Sequence, residues 1–88
     1  MWRFKKLNEY SRFNDCGEPN IKAGWVSSMK KLCGTIPDSK EIQKSIDRIM
    51  ETKQNIVLNI PYNTYFYSYD MFIKVDCKRN QLEFNFTN

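Results

Sequence analysis

The residues able to do chemistry in this chain are ten carboxylates, three cysteines and a dense run of tyrosines; histidine is absent. Without histidine, the commonest general base, the Ser–His and Cys–His pairings and the commonest metal ligand are missing. Hydrolysis by paired carboxylates would need two of Glu9, Asp15, Glu18, Asp38, Glu41, Asp47, Glu51, Asp70, Asp76 and Glu83 in one cleft, one of them with a raised pKa. Most of these stand beside a cation or a turn former. Cys33 follows Lys30 and Lys31, the one hint of an activated thiol, but helical phase groups it with Trp25, Met29 and Leu32, and buried thiols are inert. Cys16, Cys33 and Cys77 are spaced by 17 and 44 residues, so there is neither a C-x-x-C clip nor a fourth ligand for zinc. The expectation is three reduced, mostly buried thiols in a cytoplasmic protein, with no metal. Gly17, Gly24 and Gly34 form no phosphate-cradling motif. The chain therefore reads as a non-enzyme without a cofactor.

Two groups of residues could instead bind a partner. Tyr62, Tyr65, Phe66, Tyr67, Tyr69 and Phe72 place six aromatics within eleven residues. A strand sends alternate side chains to opposite faces, so these rings cannot all enter one core. Tyr65, Tyr67 and Tyr69 are the expected outward set, able to anchor a protein partner. The alternative is that a helix covers them. The second group is cationic: residues 1–37 hold seven Lys/Arg against three Asp/Glu, and residues 38–88 hold seven of each. Lys5, Lys6, Lys30 and Lys31 are the candidates to steer a partner toward the rings. Together with Arg3 and Lys22 they also permit a rival reading, a nucleic-acid-binding module built on the basic N-terminal third. Tyr62 to Phe72 contains no Lys or Arg, which favours a protein partner for the rings over stacked bases.

These groups must be held by a small set of elements. Trp2 and Phe4 predict a short first strand. Asn14 to Asn20 is a loop dense in turn formers. Trp25, Met29, Leu32 and Cys33 fall on one face of a short helical turn, about 25–33, stopped by Gly34. Asp38 followed by Glu41 resembles a capping box. It opens an amphipathic helix, about 39–53, with Ile42, Ile46, Ile49 and Met50 inward. Lys44–Asp47 and Arg48–Glu51 are i,i+3 ion-pair candidates on its solvent face. Asn55 to Ile60 reads as a strand ended by Pro61, and Tyr65 to Val75 as strand with a break near Ser68–Asp70. Ile73, Val75 and Cys77 alternate, as do Leu82, Phe84 and Phe86 beyond a polar turn, which predicts a β-hairpin. The fold class is α+β: a small antiparallel sheet or open barrel with the one long helix and the helical turn.

The 88 residues allow one domain, 1–88. No apolar run follows Met1 to Lys6, so no signal peptide is expected. The uncharged stretch Gln54 to Tyr69 is broken by Pro61 and three asparagines, so no membrane partner is expected.

Met29-Lys30-Lys31-Leu32-Cys33-Gly34-Thr35 is similar to the M-x-x-L-C-G-K-T step of small uncharacterised bacteriophage and prophage proteins. Tyr67-Ser68-Tyr69-Asp70-Met71-Phe72 resembles their later W-S-x-D-M-F segment. The resemblance implies a small open β-barrel, with the Met-Phe pair inside, and covers about a third of this chain. Tyr67 replaces the usual Trp, and the helix about 39–53 stands where the relatives carry a strand or a short connection. Small phage proteins often block a host or defence component, anti-CRISPR proteins among them. The resemblance thus implies a non-enzymatic inhibitor acting on a bacterial protein, such as a CRISPR effector, in the cytoplasm of the host cell.

Overall fold

A computed structural model describes residues 1–75. Trp2 and Phe4 alternate with Arg3 in β1 (Trp2–Phe4), which sends Phe4 into the core at 2% exposure. The N-terminal partner is distant in sequence. β1 pairs antiparallel with β4 (Phe72–Lys74) in the register Trp2↔Lys74, Arg3↔Ile73 and Phe4↔Phe72. Lys5 N–H donates to Met71 O and Val75 N–H donates to Met1 O, both at 2.9 Å, extending this ladder. Antiparallel alternation then aims the backbone groups of Trp2 and Phe4 away from β4. None of these four groups is left open. The Gln43 amide accepts from Trp2 N–H at 2.8 Å and donates to Trp2 O at 3.0 Å. Thr35 O accepts from Phe4 N–H at 2.9 Å, and Gly34 N–H donates to Phe4 O at 3.1 Å.

Gln43 belongs to α1 (Lys40–Thr52), whose apolar spacing buries Ile46 and Ile49 completely and Ile42 and Met50 in part. The capping residue is Ser39, one position later than the expected Asp38: its hydroxyl accepts from Ile42 N–H at 3.3 Å. Asp38 stays exposed, and the turn before it is held by Gln43 Nε2 donating to Pro37 O at 2.8 Å. Lys53 ends the helix in the left-handed conformation at φ 61°, with its N–H bonded to Ile49 O. The two expected i,i+3 ion pairs are absent; among the described residues the one ion pair is Arg3–Glu9. Asp47 instead accepts from the Trp2 indole N–H at 2.6 Å, a partner supplied by the tertiary fold.

The helical turn expected at 25–33 is a 3-10 helix, Ser27–Leu32, with Met29 buried, Trp25 and Leu32 half-buried, and Gly34 at φ 80° beyond it. β2 (Ile56–Leu58) and β3 (Tyr65–Tyr67) form a second antiparallel pair, Ile56↔Tyr67, Val57↔Phe66 and Leu58↔Tyr65. The break near Ser68–Asp70 is a 3-10 turn, Tyr69–Met71, after which β4 begins. The architecture is α+β, with two two-stranded sheets around one core, and the described residues form no closed barrel. At its centre the Phe4 ring lies 4.9 Å from Phe72 and 5.7 Å from Tyr67. Of the expected hairpin, Ile73 and Lys74 lie in β4, which pairs with β1, while Cys77, the turn and the strand Leu82–Phe86 lie outside the described residues.

Candidate interaction surface

The structure separates the three tyrosines instead of turning them all outward. Tyr67 faces inward beside Ile56 and is fully buried, at 0% exposure. Its hydroxyl donates to Asn63 O at 2.6 Å, and burial pushes its pKa up to about 12, with a smaller push from Tyr65. Tyr69 lies in the 3-10 turn, where strand parity no longer applies; it is half-buried, with Lys53 Nζ 4.8 Å above its ring. Only Tyr65 of the three is exposed, at 39%. The outward ring of β3 is Phe66, at 58%, and directly across from it stands Val57, at 40%.

The connection between the two strands adds Tyr62. Asn63 N–H donates to Ile60 O at 2.8 Å and closes the turn after Pro61. Tyr62 there takes φ 65°, a left-handed conformation that costs an L-residue about 1–2 kcal/mol, and its side chain is 98% exposed. Val57, Tyr62, Tyr65 and Phe66 thus belong to one hairpin and all reach solvent. Sequence reasoning missed Phe66 and Val57. The alternation was visible, but nothing in a three-residue strand declares which parity faces the core.

The cations fall into two groups. Arg3 is withdrawn from any partner role: its guanidinium donates from both nitrogens to the Glu9 carboxylate at 3.0 Å. Glu9 also accepts from Lys6 N–H at 2.6 Å. These two contacts, Arg3 first, hold the Glu9 carboxyl at about 2. Lys5, Lys6, Lys30 and Lys31 have no carboxylate within 4.0 Å among the described residues. Lys5 Nζ lies 5.6 Å from the Tyr10 ring centre. The Lys6 stem crosses Gly34, where an added Cβ would meet it at 3.3 Å, so Lys6 is carried to the end of the 3-10 helix that presents Lys30 and Lys31.

The S-x-D residues of the second motif act as a clamp. Ser68, fully buried, accepts from Ala23 N–H at 3.2 Å and donates to the Asp70 carboxylate. Asp70 in turn accepts from Lys22 N–H at 3.0 Å. Met71 and Phe72 beside them are core residues. The serine and aspartate therefore secure the chain at 22–23 against β4's approach, and this is a positioning job. Cys33 has its thiol 3.9 Å from Met29 O, and burial raises its pKa in spite of Lys30 nearby, which suits a neutral thiol rather than a nucleophile. Cys16 is exposed in the Asn14–Gly17 turn, and Cys77 lies outside the described residues. No helix among the described residues is long and apolar enough to cross a membrane, and no group of three or more cysteines and carboxylates among them could hold a metal ion. The chain matches no protein-family model, and neither a curated protein nor a solved structure is similar to it at a significant level.

Proposed function

We propose that this chain is a non-catalytic binding protein that inhibits a bacterial protein, and that its anchor is the β2–β3 hairpin. The observation that carries this is Tyr62, a fully exposed aromatic ring held in a left-handed backbone conformation. Glycine would fill such a turn at lower cost, and unfavourable conformations retained at a surface mark positions kept for what they do. Phe66, Val57 and Tyr65 on the same hairpin supply the apolar area that tyrosine-rich interfaces use. The two motif resemblances support a phage or prophage origin, and with it a host or defence protein as the target, a CRISPR effector being the class to test first.

The test is capture of a partner from lysates of bacteria carrying such effectors, with wild-type protein and with Tyr62→Gly/Phe66→Ser. The double variant is expected to stay folded, with a melting temperature no lower than that of the wild type, because neither side chain is buried and glycine relieves the strain at position 62, and to lose the captured protein. Capture undiminished in the folded variant would overturn the placement. Failure of the wild type to restore plaque formation against any of those effectors would overturn the choice of target class.

A further inference from the structure

We infer that Lys5, Lys6, Lys30 and Lys31 form a second contact face, one that takes the phosphate backbone of nucleic acid without reading its sequence. This goes beyond the hairpin's role and stands without it. Two lysine-bearing segments about 25 residues apart in sequence are held side by side, Phe4 N–H donating to Thr35 O at 2.9 Å and Gly34 N–H to Phe4 O at 3.1 Å. The Lys6 stem lies on Gly34, and Cys33 N–H, next to that glycine, donates to Lys30 O at 3.3 Å. Lys5 Nζ stands 5.6 Å from the centre of the Tyr10 ring. Among the described residues, Glu9 is the one carboxylate bonded to the Lys5–Lys6 segment, and it is already paired with Arg3.

The Lys5 head is placed over the Tyr10 ring and the Lys6 stem over Gly34, which lowers the entropy lost when these heads are fixed on an anion. Tyr10 is buried and Trp25 half-buried, so neither ring is offered to a base or to the apolar centre of a protein interface. Cations without a stacking platform neutralise phosphates and little else. That is the chemistry of sequence-independent backbone binding.

The experiment is a titration of two labelled 20-base-pair duplexes of unrelated sequence with the full chain at 50 and 200 mM salt. Four phosphate contacts, each worth a logarithmic slope of about −0.9, give a loss of about 150-fold over that range. Both duplexes should bind alike. Lys30→Gln/Lys31→Gln should leave about two contacts and reduce the salt effect to about 12-fold. Lys40→Gln/Lys44→Gln on α1 removes the same charge elsewhere and should leave the affinity within twofold. The proposal is overturned if duplex binding is undetectable at 50 mM salt, or if the α1 variant loses as much as the Lys30/Lys31 variant. It is also overturned if the two duplexes differ in affinity by more than about tenfold, which would mean that the face reads bases rather than phosphates.

Discussion

Glu9 shows how much one exposed carboxylate can be perturbed without burial. Arg3 grips both of its oxygens, and Lys6 N–H adds a third bond. The carboxyl therefore stays ionised down to about 2 in the folded protein, against an ordinary value of 4.5. Because the folded value is the lower one, the associated stabilisation is complete above about pH 4.5 and disappears as the pH falls toward 2. Glu9→Gln should be less stable than the wild type at pH 6, and the two should converge as the pH is lowered through that window. Melting temperatures taken between pH 6 and 2 check this; a gap that stays constant would mean that the Arg3–Glu9 contact is not formed in solution.

Among the elements, α1 does more than cover the sheet. Ile46 and Ile49 face the core as their spacing requires, but Gln43, one turn earlier, acts as a surrogate strand for β1. An amide can do this because it carries both a donor and an acceptor, matching the N–H and C=O that β1 presents. It also closes the edge that would otherwise recruit another chain. Gln43→Ala should cost about 1–3 kcal/mol in urea unfolding, since Trp2 loses both partners while part-buried. Gln43→Glu should not restore the loss, because a carboxylate cannot donate to Trp2 O or Pro37 O. A glutamate variant as stable as the wild type would show that the edge is held in another way.

At the scale of the whole molecule, the N-terminal strand is integral to the core. β1 pairs with β4 across some seventy residues, and Phe4 touches both Tyr67 and Phe72. Truncating a buried Phe to Ala alone costs about 3–5 kcal/mol, a large share of the roughly 5–10 kcal/mol that holds a small domain. Deleting residues 1–5 should therefore abolish the cooperative unfolding transition seen by circular dichroism. A deletion variant that kept a sharp transition at the wild-type midpoint would show that β4 finds its packing without β1.

What the sequence determined by itself was local. The spacing of Ile42, Ile46, Ile49 and Met50 set α1 and its buried face, because a 3.6-residue period leaves one solution. Pro61 and the Ser68–Asp70 break marked the gaps that separate β2, β3 and β4, although β2 ends at Leu58, short of the expected Ile60. Gly34 marked the end of the helical turn. The tertiary structure decided everything that needed a distant partner. It chose Ser39 over Asp38 as the cap, gave Asp47 to the Trp2 indole and paired β1 with β4. It also chose the parity of β3, sending Tyr67 inward and Phe66 out, and so moved the candidate site from three tyrosines to the β2–β3 hairpin. A strand of three residues has two faces of nearly equal apolarity, and only the surface it packs against can distinguish them.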